Sequence, residues 1–196
     1  LVCNVKQGNE DHSRLARLIE RRDPDIIILM ETDQTWLNSL ATVLDLYEHK
    51  VSCPQDNSYG MHLVSRLKML SGDIKFLLNE EIPSFHCRFE IGDGHNFDMI
   101  SIHPEPPIPH HDTIGRDAEI LLAGELATKR ERPMIVTGDL NDVAWSETTR
   151  RFLRISRLLD PRQGRGMYNT FDARIPFFKM ATGSYFSLSR VRARVD

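Results

Sequence analysis

A chain of 196 residues that is 40% hydrophobic and 27% charged has the make-up of an ordinary soluble globular domain, with enough apolar material for one well-filled core. Its longest strong apolar run, Ile26 to Met30, has the length of a strand and falls far short of the roughly 18 residues a membrane-crossing helix needs, which excludes such a helix from this sequence. The net charge of −3 says little, but its distribution is uneven: from Arg150 onward there are 11 Lys and Arg against 3 Asp and Glu, and before it 14 against 25. A basic C-terminal quarter beside an acidic remainder suits a phosphate-bearing substrate near a metal site, with solvated surface as the plain alternative.

In chain order, Leu1 to Val5 is apolar apart from Asn4 and predicts a first strand. Asp11 or Ser13 then caps a helix whose Leu15, Leu18 and Ile19 share one face, and Asp23-Pro24 stops it. Ile26 to Met30 is continuously apolar, the pattern of a strand covered on both faces. Trp36, Leu37, Leu40, Val43 and Leu44 recur at helical spacing. After the turn-rich Pro54 to Ser58 come strand-like runs at Met61 to Ser65, Ile74 to Leu78, Phe85 to Ile91 and Phe97 to His103. The last two are joined by the turn Gly92-Asp93-Gly94, so a hairpin is expected. Four prolines between Pro104 and Pro109 forbid helix and strand and make a rigid loop. A helix is then expected over Ala118 to Ala127, a strand over Met134 to Thr137 and a helix from Thr148 to Leu159. Val191, Ala193 and Val195 alternate with Arg190, Arg192 and Arg194, as in a half-buried strand with an arginine face. Hairpin strands mixed with helices predict an α/β fold with mixed sheets in a single domain.

Four strand-like runs stop at, or contain, an unusual polar residue: Asn4, Glu31 after Met30, His103 after Ile102, and Asp139 with Asn141 after Val136. Functional crevices of open α/β sheets lie beyond strand ends, so these termini are expected to converge on one site. Glu31 can supply a carboxylate to Mg²⁺, which takes one or two such ligands and keeps several waters; a helix-capping or exposed acid is the alternative. Asp139 and Asn141, two apart on a segment read as extended, point to one side, where Asp139 can orient or deprotonate a water and Asn141 can hold a phosphate oxygen. An Asx-rich turn explains the same short motif. His103 heads the proline loop and can donate a proton or hydrogen bond near neutral pH. The other histidines, including His110-His111, lack partners at metal spacing. Cys3, Cys53 and Cys87 are odd in number and have no Cys-x-x-Cys spacing, which argues against a disulfide framework or structural zinc.

Taken together, these segments resemble the endonuclease/exonuclease/phosphatase family, in the right order over nearly the whole chain. Asn4 looks like the early active-site asparagine, and Pro24 to Glu31 like the segment ending in the metal-binding glutamate. Ser58-Tyr59-Gly60 through Ser65-Arg66 resembles the Gly-to-Ser-Arg strand, His103-Pro104 the catalytic histidine loop, and Gly138-Asp139-Leu140-Asn141 the Gly-Asp-Phe-Asn signature with Leu for Phe. The resemblance implies a four-layer sandwich of two mixed sheets flanked by helices. It also implies Mg²⁺- or Mn²⁺-assisted attack of water on a phosphoester, with Glu31 on the metal and His103, Asp139, Asn141 and Asn4 as catalytic residues. Nuclease action is the first expectation for substrate. A lipid or inositol phosphoesterase, or an inactive phosphate- or nucleic-acid-binding module, are the alternatives; a monomer without membrane contact by this region is expected.

The family's terminal Ser-Asp-His segment, and the Asp-His pair before its penultimate strand, have no counterpart here. Phe177-Phe178-Lys179-Met180 runs into Ala181-Thr182-Gly183 where the pair would stand, and Asp196 comes where the terminal segment would begin. Loss of these residues competes with their omission from this sequence, and omission is the expectation, because the retained polar residues would be costly to bury together without function. Leu1 is not an initiator, so a fragment is expected, with any upstream signal or anchor, and hence localisation, left open.

Overall fold

The structure, a computed structural model, describes residues 1–107 and 112–161. The expected strand around Val191 to Val195, the Met180-Ala181 junction and the His110-His111 pair lie outside the described residues. The chain divides into two compact units, Leu1–Phe97 and Asp98–Asp196.

The first unit opens with β1 (Val2–Asn4), α1 (His12–Arg22), β2 (Ile26–Met30) and α2 (Gln34–Leu44). It continues with β3 (His49–Cys53), β4 (Met61–Ser65), β5 (Met69–Phe76) and β6 (Pro83–Glu90). β1 runs parallel to β2, and β4 runs antiparallel to both β2 and β3, giving the sheet order β1-β2-β4-β3. Ile27 to Met30 are all buried, as a continuously apolar central strand requires. Both helices start where a carboxylate satisfies an orphan N–H: Asp11 accepts from Arg14 N at 3.2 Å and Asp33 from Trp36 N at 2.8 Å. α1 stops at Asp23, whose left-handed backbone donates to Ile19 O at 2.8 Å, with Pro24 next. Leu15, Ile19, Trp36, Leu40, Val43 and Leu44 form one core with Ile27, Leu29 and Val64 of the sheet. Burying each such side chain stabilises by about 1.5–3 kcal/mol.

In the second unit β7 (Asn96–Ile102), which begins at the boundary, pairs in parallel with β8 (Met134–Gly138), from Asp98↔Met134 to Ile102↔Gly138. Between them lies α3 (Ile114–Thr128), and α4 (Glu147–Ser156) follows. Gly124 lets the two helices approach, since a Cβ there would stand 3.0 Å from the Phe152 ring. α3 begins four residues before the expected Ala118, because Asp112 accepts from Ile114 N at 3.1 Å and Asp117 N donates to Thr113 O at 2.9 Å. α4 ends earlier than expected, at a left-handed Arg157 whose N–H closes on Leu153 O. The second sheet has the order β5-β6-β7-β8. Both sheets are mixed, so the α/β expectation holds. Among the described residues no helix is long and apolar enough to cross a membrane.

Candidate active site

In the first unit the parallel register Asn4↔Met30 places Asn4 at the end of β1 beside the point where Glu31 leaves β2. Glu31 adopts a left-handed backbone (φ 60) that turns it out of the strand. The next residue is clamped, Thr32 N donating to Gly60 O at 3.0 Å and Gln55 N to Thr32 O at 3.1 Å. Only glycine fits at position 60, where a Cβ would lie 1.9 Å from Thr32 O. The Glu31 carboxylate accepts from Asn4 Nδ2 at 2.6 Å and from Gln7 N at 3.3 Å, while Asn4 Oδ1 accepts from Lys6 N at 2.9 Å. The capping alternative for Glu31 is thereby answered, since Asp33 caps α2.

Gln7 was not singled out in the sequence, yet it ties this cluster together. Its Nε2 donates to Gln55 O at 3.2 Å, its Oε1 accepts from Ser58 N at 2.9 Å, and its carbonyl accepts from Trp36 Nε1 at 3.2 Å. Nothing in its local sequence marks it; its partners lie up to 51 residues away.

A carboxylate has about four lone-pair positions, of which two hydrogen bonds leave room for a cation. Among the described residues no group of three or more His, Cys, Asp or Glu is placed to hold a metal. Oxygen-only coordination by one carboxylate plus waters is how Mg²⁺ is commonly held, so the half-buried Glu31 fits such an ion.

In the second unit His103 and Asp139 leave adjacent parallel strands side by side, one residue beyond Ile102↔Gly138. Gly138, at φ 141, would place a Cβ 1.8 Å from Ile102 O, so glycine alone allows this close approach. His103 is 3% exposed and Asp139 7% exposed. Asn141 donates its Nδ2 to Pro104 O at 2.9 Å, which ties it to the residue after His103. The extended reading of Asp139 to Asn141 is corrected. Asn141 is left-handed (φ 49) and its N–H donates to Asp139 Oδ1 at 3.1 Å, an Asx turn that Asn tolerates better than most residues.

Two residues that the sequence did not single out buttress this loop. Arg116, in the first turn of α3, donates to Asn141 O at 3.0 Å, and buried Asp142 accepts from Val143 N at 2.8 Å, from Thr149 Oγ1 at 2.9 Å and from Ser146 Oγ. On α3, Glu119 is 3% exposed, its Oε1 without a hydrogen-bond partner among the described residues. Burial, with the nearby Glu105 carboxylate adding to it, pushes the Glu119 carboxyl up to about 7. Burial also raises the Cys87 thiol to about 12, so this free cysteine is a packed residue and not a poised nucleophile.

The sequence candidates thus fall into two structural groups, Asn4 with Glu31, and His103 with Asp139 and Asn141. The family model described as Endonuclease/Exonuclease/phosphatase family matches residues 1–185. The chain belongs to this family. Its members are phosphoester hydrolases that generally use divalent metals. No curated protein matches the sequence significantly. Among solved structures, SmcL is similar at 16% identity over 95% of this chain and 80% of its own, with a TM-score of 0.70. A hairpin-deletion mutant of beta toxin from Staphylococcus aureus is similar at 14% identity over 95% and 84%, with a TM-score of 0.69. Truncated TDP2 from Caenorhabditis elegans is similar at 18% identity over 70% and 59%, with a TM-score of 0.59. These likenesses show a shared fold, the α/β sandwich of mixed sheets and helices that the family resemblance implies.

Proposed function

We propose that the protein is a divalent-metal-dependent phosphodiesterase that cleaves nucleic acid. Support comes first from Glu31, a carboxylate held in a left-handed strand-end conformation and oriented by Asn4 and Gln7. Backbone conformations of this kind cost on the order of 1–3 kcal/mol and persist where the surroundings over-determine them, commonly at functional sites. In this reading Glu31 holds Mg²⁺ or Mn²⁺, which when bound supplies positive charge against the phosphoryl oxygens. Asp139 orients the attacking water and takes its proton. Asn141, one of whose amide hydrogens goes to Pro104 O, offers the second to a phosphoryl oxygen, and Asn4 and His103 are assigned as further hydrogen-bond donors.

Nucleic acid is favoured among phosphoesters by Arg150, Arg154 and Arg157, all exposed and at helical spacing on α4 and its C-terminal end. The test is hydrolysis of a generic phosphodiester and of an oligonucleotide with Mg²⁺, Mn²⁺ or a chelator, using wild type, Glu31→Gln and Asp139→Asn. Turnover of both substrates that the chelator abolishes, with each substitution costing roughly 100-fold or more, is the expected result. Turnover indifferent to chelator and to both substitutions would refute the mechanism, and cleavage of the generic ester alone would refute the nuclease assignment.

A further inference from the structure

We propose that Arg116 is a positioning residue: its guanidinium fixes the left-handed turn at Asn141 and, with it, the direction of the Asn141 amide. The inference rests on the reading of Asn141 as an active-site donor. The guanidinium side chain is only 11% exposed and is used on three sides. Its Nη1 donates to Asn141 O at 3.0 Å, its Nε and Nη2 donate to Asp117 Oδ1 at 2.9 and 2.6 Å, and Nη2 stands 3.7 Å from Asp142 Oδ1. Both flanking carboxylates are themselves anchored at helix starts, Asp117 Oδ2 by Thr113 Oγ1 at 3.0 Å and Asp142 by Ser146, which caps α4, and by Thr149 in its first turn. The cation is therefore locked in place before it reaches the loop.

The contact falls on the carbonyl of Asn141 itself. A left-handed asparagine is near in energy to other conformers, so an Asx turn alone holds it weakly. Held at its carbonyl by Arg116 and at its side-chain amide by Pro104 O, one residue after His103, Asn141 is fixed at two points. Releasing the carbonyl frees the whole residue to leave the left-handed conformation and carry its amide away from Pro104. Arg116 thus sets the aim of Asn141 and its link to the His103 loop without facing the substrate. A planar fork can serve Asp117 and Asn141 O together; the single ammonium of lysine cannot reproduce that geometry.

Two readouts test this on the whole protein, using Arg116→Ala, Arg116→Lys and wild type. One is the side-chain ¹⁵N–¹H pair of Asn141, assigned by its loss in Asn141→Asp, which needs no turnover. The other is the rate on a generic phosphodiester with Mn²⁺, with and without added guanidinium. We expect both variants to move or broaden the Asn141 pair while other Asn and Gln signals stay in place. We also expect kcat to fall about 10- to 100-fold, as for loss of a hydrogen bond from a charged donor, with KM within about twofold. Guanidinium should restore part of the rate to Arg116→Ala and none to Arg116→Lys, whose side chain blocks the space. An unmoved Asn141 pair overturns the proposal. So does a rate that falls only with the folded fraction and ignores guanidinium. If wild type shows no turnover under any metal, the functional reading fails, and the Asn141 signals alone decide whether Arg116 holds the amide.

Discussion

Glu31 and Asn141 leave their strands through left-handed backbone (φ 60 and 49), and Gly138 turns through φ 141, so the candidate chemistry stands where the chain departs from regular structure. At Gly138 the demand is steric as well as conformational. Gly138→Ala would drive a methyl into Ile102 O and should destabilise the protein by about 2–5 kcal/mol, read as a lower urea midpoint; an unchanged midpoint would contradict the close approach. Gln7→Ala keeps the backbone N–H that donates to Glu31 but removes the side-chain bonds to Gln55 O and Ser58 N that hold that backbone in place. It should weaken Mn²⁺ affinity up to roughly 10-fold, as loosening of an outer-shell partner does, while thermal stability falls only slightly. Asn4, Glu31, His103, Asp139 and Asn141 were legible because each is polar where an apolar run ends. Gln7 and Arg116 were not, since their meaning comes from partners far along the chain. Asp142 gained no role although Val143, Ser146 and Thr149 stand close to it in sequence, because the left-handed turn before it is not announced there.

Among the elements, those with a strong apolar period were readable: α1, α2, β2 and β4 lie close to where the pattern puts them. β3 escaped notice because it is an edge strand in which only Val51 is buried, so His49, Lys50 and Ser52 read as loop. The first turn of α3 was hidden by Gly115 and the preceding prolines, although Asp112 and Thr113 are residues that start helices. The pairing of α3 with α4 depends on Phe152, fully buried against Gly124. Phe152→Ala should cost about 3–5 kcal/mol in chemical denaturation. A loss below about 1 kcal/mol would mean the two helices are held by something else.

For the molecule as a whole, pH sets two opposing gradients of stability. His62 and His86 are held neutral by burial, with Lys50 and Lys75 adding to it, and both are lowered to about 4. The unfolded chain binds protons at these sites first, so stability is lost as pH falls from about 6.5 to about 4. Glu119 works the other way. Its folded carboxyl sits at about 7 against 4.5 for the ordinary group, so the folded state holds the extra proton and stability is lost as pH rises between those values. Glu119→Gln should therefore stabilise the protein at pH 8, by on the order of 2–3 kcal/mol, and leave it unchanged near pH 4. Equal effects at both pH values in thermal unfolding would show that Glu119 carries no burial penalty.

The central claim is that Glu31 holds the cation on which phosphodiester hydrolysis depends. Its most direct test is the rate of hydrolysis as a function of Mn²⁺ concentration in wild type and Glu31→Gln. The account predicts a saturable curve for wild type, displaced in Glu31→Gln to at least about tenfold higher Mn²⁺ with the fold intact. Superimposable curves for the two proteins would contradict it.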